Sequence, residues 1–361
     1  MNKMQTKFGS PPPVTNRPGK GWAPDVDDLH GNFDYLMFSN IDYANQEARH
    51  DVIQWGRWMV EHIGVDGLRL DAASHFSWTF ARDWIAAVQE TSQHCRGRPA
   101  FIVGEVWSGE VKRITNWLDV VGPTPYAYDT PLVYNFSRIS KDVTSGSPNA
   151  DLRTINRNSL ISLRPTQAVT LVTNHDTQPG QASDTPIDAD LKSLFYAFIL
   201  LRQEGYPSVF WGDLYGTCGE DGAPPACLVT SPHNGRQFSL LPSLMLARKL
   251  YAYGPQTDYL DAESCIGWVR HGTHDRPGCA VVISTGPRQD LGESVTAKRM
   301  RAGVPGQVWW DCCGGNGEMQ IQQDGSGVFP CRGGSVGVWI CKGTFGGEWF
   351  PVGFGLDVYS Q

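Results

Sequence analysis

Three short apolar segments of the chain each lead into acidic side chains. The acids are Asp71, Glu105 and Asp176, and each lies at or just beyond the end of its segment. Two carboxylates on either side of a glycosidic bond can cleave it, because one attacks the anomeric carbon while the other protonates the leaving oxygen. A third acid can bind sugar hydroxyls and keep the proton on its neighbour. Together the three acids predict the hydrolysis of glycosidic bonds.

The first acid has an arginine two residues before it. Because side chains alternate in direction along a strand, Arg69 and Asp71 project to the same side. A guanidinium beside the carboxylate holds Asp71 ionised, which suits a nucleophile. Taken alone, the pair could equally be a structural ion pair at a strand end.

The other two acids have neighbours that suit different tasks. Glu105 precedes Val106 and Trp107, which could exclude water from its carboxyl group. Desolvation raises a carboxyl pKa, as a general acid near neutral pH requires, although a solvated loop glutamate is the alternative. The adjacent His175 and Asp176 could equally cap a helix or bind a metal. Only the combination of the three motifs favours an enzyme.

A repeating pattern of strands and helices must position these acids. Apolar segments predict strands at 65–70, 100–104, 126–129, 168–172 and 207–211. Amphipathic spacing predicts helices at 47–63, 78–93, 111–120, 188–203 and 239–251, with a further helical region up to residue 163. Repeated βα units with buried strands predict a parallel sheet with helices outside, and functional residues of such proteins gather at the carboxyl ends of the strands.

The pattern changes after about residue 260. Short strands at 266–269, 279–283, 307–310 and 336–341, separated by Gly-rich turns, predict a separate antiparallel β domain over residues 261–343. Residues 1–18 carry three consecutive prolines and no periodicity, which predicts disorder. The tail at 344–361 is rich in glycine and aromatic residues and supports no assignment.

Composition and charge exclude several other classes of protein. The chain has 361 residues, 40% of them hydrophobic and 19% charged, as in an ordinary globular protein. A net charge of −7 offers no basic surface for nucleic acid or an anionic membrane. The longest apolar run, Leu194 to Leu201, is too short to span a bilayer, and residues 1–20 contain no apolar signal segment. We expect a cytoplasmic monomer that contacts neither nucleic acid nor membranes.

Nine cysteines are present, and none has the spacing of a zinc finger. In a reducing cytosol we expect buried or free thiols rather than disulfides. A bridge between Cys331 and Cys341, facing each other across a hairpin, is the alternative. Metal binding by cysteine is not expected.

The three acidic motifs, in this order, resemble conserved regions II, III and IV of the α-amylase superfamily, glycoside hydrolase family 13. They read Gly67-Leu-Arg-Leu-Asp-Ala-Ala-Ser-His75, Phe101-Ile-Val-Gly-Glu-Val-Trp107 and Leu171-Val-Thr-Asn-His-Asp-Thr-Gln178. The similarity extends to residues 33–37 with 41–43, 196–200, 205–213, 251–254 and 267–268. It runs from about residue 19 to residue 341, and the most similar groups are the liquefying-type bacterial amylases and their intracellular fungal relatives.

The resemblance implies a role for each polar residue of the motifs. Asp71 corresponds to the nucleophile, Glu105 to the acid/base and Asp176 to the stabiliser of the transition state. Arg69 would orient the nucleophile, and the side chains that would contact substrate are those of Arg69, His75, Trp107 and His175. The implied reaction is endo-acting, retaining hydrolysis of α-1,4-glucosidic bonds in starch, glycogen and maltooligosaccharides. A 4-α-glucan transglycosylase and a non-catalytic glucan-binding fragment are the alternatives.

The resemblance also implies a structural Ca²⁺ ion. Its ligands would be Asp34, Asn40 and the backbone carbonyl of His75, and hard oxygen ligands of this kind suit calcium. Asn40 stands where close relatives have aspartate, and Ala23 replaces an acidic residue of the additional metal cluster in bacterial members. We therefore expect one calcium site rather than a cluster. Ser74 replaces a common lysine of region II, which leaves the contacts on the aglycone side open.

The fold implied by the resemblance is a TIM (β/α)8 barrel with a C-terminal antiparallel β domain. Family members begin with three βα units and a protruding loop domain B, whereas region I has no counterpart in this sequence. We therefore expect a partial barrel of strands four to eight over residues 44–260, preceded by a remnant of domain B at 19–43 and followed by a β-sandwich at 261–343. Such a chain is expected to aggregate or to turn over starch negligibly. A misassigned gene start and a genuine short product are both compatible with it.

Overall fold

The computed structural model describes residues 41, 43–181, 183–218, 222–230, 237–286, 296–313 and 315–351. The chain divides into two compact units, the first ending at Tyr128 and the second beginning at Asp129. The predicted assignments for residues 1–18 and for most of 19–43 and 344–361 lie outside these residues. No helix of the described ranges is long and apolar enough to cross a membrane.

The first unit alternates helices with parallel strands. Helix α1 begins at Asn45, whose side chain accepts hydrogen bonds from the Glu47 and Ala48 N–H groups, and a π-helical turn at Met59–Ile63 extends it. Helix α2 begins at Ser77, whose hydroxyl accepts from the Phe80 N–H at 3.1 Å. The elements in chain order are α1 Gln46–Trp58, β1 Gly67–Leu70, α2 Trp78–Arg96, β2 Phe101–Gly104, α3 Val111–Val121 and β3 Tyr126–Tyr128.

The strands β1, β2 and β3 form a parallel sheet in that order. Gly67 lies opposite Phe101 and Leu70 opposite Gly104, so β1 and β2 end at the same level. Gly104 is also opposite Ala127 of β3. A Cβ atom on Gly104 would lie 2.3 Å from the Trp117 ring, so glycine allows α3 to pack closely on the end of β2. The residues after β1 and β2 therefore lie side by side.

The second unit contains the remaining helices and strands. Its helices are α4 Thr130–Thr144, α5 Leu160–Leu163, α6 Lys192–Leu201, α7 Trp211–Tyr215 and α8 Leu241–Tyr251. Its strands are β4 Ala168–Thr170, β5 Tyr206–Pro207, β6 Leu228–Thr230, β7 Gln237–Ser239, β8 Gln256–Tyr259, β9 Cys265–Arg270, β10 Cys279–Ser284, β11 Ala297–Arg301, β12 Val308–Asp311, β13 Glu318–Gln320, β14 Ser326–Pro330 and β15 Ser335–Cys341.

The β4 and β5 strands pair in parallel, with Val169 opposite Tyr206. A strand was expected to continue to residue 211, but β5 ends at Pro207 and Trp211 begins α7. The chain leaves the strand direction where Asp213 is buried. The Asp213 carboxylate accepts hydrogen bonds from Lys192 at 2.6 Å and from the Tyr196 hydroxyl at 2.5 Å. Burying this acid against α6 favours a helical turn over continuation of the strand.

Antiparallel sheets form the C-terminal part of the second unit, as the sequence predicts. Six strands follow the order β13-β12-β15-β10-β9-β8, and β11 pairs with β14. Their core is fully or almost fully buried and includes Val282, Met300, Phe329 and Trp339. Strand β8 pairs with β9 through residues that the sequence assigned to the preceding domain, so the antiparallel sheet begins earlier, at Gln256.

Arg202, directly after α6, ties the helical part of this unit to the antiparallel sheet. Its guanidinium donates to both carboxylate oxygens of Asp258 on β8, each at 2.8 Å. It also lies over the rings of Phe198 at 5.0 Å and Trp268 at 5.6 Å. A buried cation, a carboxylate and two aromatic faces thus join α6 to β8 and β9.

All nine cysteines are free thiols. Cys331 is buried and Cys341 is partly buried, and no disulfide links them. Burial raises the pKa of Cys331 to about 12, which keeps this thiol protonated at neutral pH. The expectation of free thiols therefore holds in the structure.

Candidate active site

Arg69, Asp71 and Glu105 meet at the carboxyl ends of β1 and β2. Nη2 of Arg69 lies 2.9 Å from Oδ1 of Asp71 and 3.0 Å from Oε1 of Glu105. The side chain of Asp71 is 79% exposed, whereas that of Glu105 is 11% exposed. One arginine is therefore shared by an acid that solvent reaches freely and an acid that is almost enclosed.

Both carboxylate oxygens of Glu105 are held. While Oε1 contacts Arg69, Oε2 accepts a hydrogen bond from the Ala72 N–H at 2.9 Å. The backbone joins the two strand ends as well, because the Glu105 N–H donates to the Leu70 carbonyl and the Ala73 N–H donates to the Glu105 carbonyl, each at 2.9 Å. Ala72 has a φ of 47°, which is uncommon for a residue with a Cβ atom. In this turn the Ala72 N–H points at the Glu105 carboxylate.

Competing effects act on the Arg69 guanidinium. Partial burial disfavours the cation, but the carboxylate of Glu105 and, less strongly, that of Asp71 outweigh this, and the pKa of Arg69 is raised. Arg69 therefore remains a cation, and it presents positive charge to both carboxylates at any pH of interest.

Tyr128, which motif comparison did not identify, also faces this cluster. The Arg69 guanidinium carbon lies 5.8 Å from the centre of the Tyr128 ring. Burial raises the pKa of the Tyr128 hydroxyl, so the ring stays neutral. Tyr128 ends β3, and the rule that functional residues lie at the carboxyl ends of parallel strands was the available signal.

The remaining predicted residues of the first two motifs lie close to the cluster in sequence. The His75 N–H donates to the Ala72 carbonyl at 2.8 Å, so His75 belongs to the turn that follows Asp71. Val106 is fully buried next to Glu105, as expected of a residue that excludes water, while Trp107 is only partly buried.

A groove of about 190 Å³ borders the cluster along β1. Arg69 and Asp71 line it together with apolar side chains from α1, β1 and α2, among them Val52, Trp55, Leu68 and Trp84. Aromatic faces such as that of Trp55, which is 52% exposed, can pack against the apolar faces of sugar rings. The candidate nucleophile thus borders an apolar surface.

His175 and Asp176 lie in the second unit, in a turn beyond β4. The Asn174 side chain accepts hydrogen bonds from the Asp176 N–H at 3.0 Å and the Thr177 N–H at 2.9 Å, which fixes the turn. Nε2 of His175 lies 3.3 Å from Oδ2 of Asp176. Both side chains are about half exposed, at 56% and 45%. The motif therefore presents an imidazole and a carboxylate to solvent on a hydrogen-bonded turn.

The predicted calcium ligands lie only partly within the described residues. Asp34 and Asn40 lie outside the described residues, and His75 is the remaining predicted ligand. Within the ranges that the structure covers, no three His, Cys, Asp or Glu side chains group in a way that could hold a metal ion. Calcium binding stays a prediction.

Comparison with known proteins assigns the chain to a family. Residues 4–237 match the family described as "Alpha amylase, catalytic domain". The chain belongs to the α-amylase family. This match begins within the N-terminal segment 1–18 that the sequence pattern placed outside the family similarity.

Two similar relatives are bacterial members of the α-amylase family. An α-amylase of Geobacillus stearothermophilus is 40% identical over 323 residues, which cover 88% of this chain and 54% of the relative. A cytoplasmic α-amylase of Escherichia coli (strain K12) is 40% identical over 327 residues, which cover 90% of this chain and 62% of the relative. The chain thus spans little more than half the length of these relatives.

Solved structures of α-amylases share the fold. The crystal structure of an α-amylase from Geobacillus thermoleovorans, complexed with acarbose, aligns with a TM-score of 0.59 and 14% sequence identity, covering 94% of this chain and 73% of that one. Membership of the family and this likeness support a TIM barrel with a C-terminal β domain, in agreement with the parallel and antiparallel sheets.

Proposed function

We propose that this chain is an α-amylase that hydrolyses α-1,4-glucosidic bonds by an endo-acting, retaining mechanism. Its substrates are starch, glycogen and maltooligosaccharides. The observation that carries the proposal is the sharing of Arg69 between Asp71 and Glu105 at neighbouring strand ends, in a member of the α-amylase family. The names of the bacterial relatives support the same reaction.

The contacts of Arg69 support retention rather than inversion. Because one nitrogen contacts both acids, the 2.9 Å and 3.0 Å contacts keep the two carboxylate oxygens within about 6 Å of each other. Retaining glycosidases hold their carboxyl groups about 5–5.5 Å apart, whereas inverting enzymes need about 6.5–9.5 Å to admit a water molecule. Asp71 can therefore attack the anomeric carbon directly to form a covalent glycosyl intermediate.

Each acid has a distinct part in this mechanism. Asp71 lies beside the Arg69 cation and is open to solvent, which suits a nucleophile. Glu105 donates a proton to the leaving oxygen and then takes one from the attacking water. For this role, the bound substrate must displace the partner of one of the two Glu105 carboxylate oxygens, which contact Arg69 and the Ala72 N–H. Asp176 stabilises the transition state by binding sugar hydroxyls, and the adjacent His175 also binds a sugar hydroxyl.

Further residues complete the substrate contacts. His75 and Trp107 follow the nucleophile and the acid/base in their respective loops, and we assign them to substrate binding. Trp107 offers an aromatic face that is partly exposed, which supports stacking on a sugar ring.

We also propose that β1 to β5 correspond to strands four to eight of an eight-stranded barrel, with the sheets from β8 onward as the C-terminal domain. The order of the three motifs along the chain supports this assignment, since each acid follows one strand. Residues 44–260 would then belong to the barrel, apart from β8.

Calcium is proposed as a structural ion of the enzyme. Asp34, Asn40 and the His75 carbonyl would hold it, and their oxygen donors suit a hard cation. When bound, the ion would brace the loop that follows Asp71 and take no part in bond cleavage. We further propose a cytoplasmic monomer, and the name of the Escherichia coli relative supports the compartment.

Substitution of the two acids tests the proposed roles. In a protein joined to the three βα units with which family members begin, Asp71→Asn should lower turnover of a blocked maltooligosaccharide at least about 10⁴-fold while glucan binding persists, because only the nucleophile is lost. Glu105→Gln should slow substrates with poor leaving groups most, because those need the proton.

The controls distinguish the competing functions. A wild-type protein that binds glucan but releases no product would be a non-catalytic binder, and one that elongates maltooligosaccharides faster than it hydrolyses them would be a transglycosylase. Near wild-type turnover of Asp71→Asn would show that the nucleophile is assigned wrongly.

A further inference from the structure

Arg69 is held by contacts that its position on β1 alone does not explain. Its guanidinium must face Asp71 and Glu105 at the same time, although these acids follow different strands. Its side chain is 32% exposed, and an arginine with this freedom loses considerable rotamer entropy when it is held in one place. Any further contact that restricts the guanidinium between the two acids lowers this entropic cost.

Strand β3 supplies such a contact. Val103 lies opposite Tyr126 and Gly104 opposite Ala127, so continuing the register by one residue brings Tyr128 level with Glu105. The Tyr128 ring then lies 5.8 Å from the Arg69 guanidinium carbon, within the range at which a cation is attracted by the face of an aromatic ring. The charged groups that act on the Tyr128 hydroxyl are Arg69 and Glu105, the members of the site.

We propose that Tyr128 is a positioning residue for the reaction: its ring holds the Arg69 guanidinium between the nucleophile Asp71 and the acid/base Glu105. The proposal rests on the proposed function for its catalytic consequence, but the positioning itself does not depend on activity. The hydroxyl is dispensable in this role, because the attraction comes from the face of the ring.

The same strand offers a matched control. Tyr126 is two residues earlier and therefore points to the same face of the sheet as Tyr128. Its ring stacks on Phe101, with centroids 4.7 Å apart, and it lies one layer below the strand ends. Replacing Tyr126 removes the same side chain from the same strand face but leaves the ring beside Arg69.

The catalytic readout separates positioning from general structural damage. Tyr128→Leu should lower kcat on a blocked maltooligosaccharide about 10²-fold, the loss typical of a catalytic group displaced by about 1 Å, with KM within about threefold of the wild-type value. Tyr128→Phe should restore most of the rate, and Tyr126→Leu should leave both kcat and KM close to wild type.

A spectroscopic readout tests the placement of Arg69 even in a protein without turnover. The Arg69 Nε–H resonance, assigned by its loss in Arg69→Lys, should carry an upfield ring-current shift in the wild-type protein and in Tyr128→Phe. The shift should vanish in Tyr128→Leu and persist in Tyr126→Leu. If the wild-type protein has the shifted resonance but hydrolyses no glucan, the proposed function fails while the positioning role stands.

A shape-preserving replacement covers the case in which Tyr128→Leu does not fold. Pentafluorophenylalanine at position 128 fills the same space but reverses the charge distribution of the ring, so it should lower kcat well below that of Tyr128→Phe and displace the Arg69 resonance. Equal rates and equal Arg69 resonances for the phenylalanine and pentafluorophenylalanine proteins would overturn the proposal. So would a Tyr128→Leu protein that matches Tyr126→Leu in both readouts.

Discussion

Arg69 and Arg202 make the same kinds of contact in different parts of the molecule. Each guanidinium lies near two carboxylates and over at least one aromatic ring. They differ in their access to water: the Arg202 side chain is 3% exposed, whereas that of Arg69 is 32% exposed and one of its acids, Asp71, is 79% exposed. The guanidinium of Arg202 is buried, with partner acids that are 38% and 31% exposed, whereas the contact around Arg69 is open on the side of the candidate nucleophile.

The difference shows how one arrangement of charges can serve two purposes. A buried cation that loses its partners, or a buried acid that loses its cation, is left without compensation for its lost hydration. The contact around Arg202 therefore fixes the packing of α6 against β8 and β9. At Arg69, exposure makes the ion pair with Asp71 worth little for stability, but it leaves Asp71 accessible to a substrate.

The largest expected effect on stability comes from removing the buried guanidinium of Arg202. Arg202→Met should lower the free energy of unfolding by about 3 kcal/mol, because the protein loses the two charge-assisted hydrogen bonds from a buried guanidinium to Asp258 and its packing on two aromatic rings. Urea unfolding followed by tryptophan fluorescence measures the loss. The matched variant Arg69→Met should cost less, about 1–2 kcal/mol, since Asp71 is in water and Glu105, although only 11% exposed, keeps the hydrogen bond from the Ala72 N–H. Equal losses in the two variants would remove the distinction between the two arginines.

A smaller effect is expected at Asp129, a buried acid that backbone groups hold. Its carboxylate accepts from the N–H groups of Leu132, Leu160 and Ile161, and burial raises its pKa to about 6. Because the folded pKa lies above the ordinary value of 3.8, the stabilisation is complete below about pH 4 and is lost as the pH rises through about 6. The unfolding free energy of wild type relative to Asp129→Asn should therefore fall by about 2–3 kcal/mol over this window.

Unfolding of both proteins at several pH values measures this difference. Asparagine keeps one acceptor oxygen but does not titrate, so the other carboxylates of the chain cancel in the comparison. A constant difference from pH 4 to pH 7 would contradict the raised pKa. A difference that grows in favour of the wild type as the pH rises would show that a cation, as at Arg69, stabilises the ionised form.

The parts of the fold that the sequence predicted are those with a strong apolar signal. The strands at β1, β2 and β4 and the helices α2 and α3 were found within a few residues of their bounds, because their buried faces produce clear runs or helical spacing. Strand β11, with the sequence Ala-Lys-Arg-Met-Arg, was missed since its exposed face is charged and its partner is distant in the chain. Strand β8 was missed because its residues are mostly polar.

The candidate site was predictable only where a motif lies at the end of one strand. Arg69 and Asp71 were paired from their spacing, and parallel order placed Glu105 beside them. Tyr128 and the Ala72 N–H were not predicted, because Tyr128 reaches Arg69 and the Ala72 N–H reaches Glu105 across strands, which depends on the sheet register and on a backbone turn. The roles of Asp176 and His175 and the calcium ligands Asp34 and Asn40 stay predictions.

The anomeric configuration of the first product tests the central claim that Asp71 and Glu105 form a retaining pair around one arginine. Proton NMR of a maltooligosaccharide digest, recorded before mutarotation equilibrates the products, distinguishes the anomers directly. The proposed retaining mechanism predicts that the new reducing end appears as the α-anomer. A β-anomer as first product would mean that water attacks directly, and it would contradict the account.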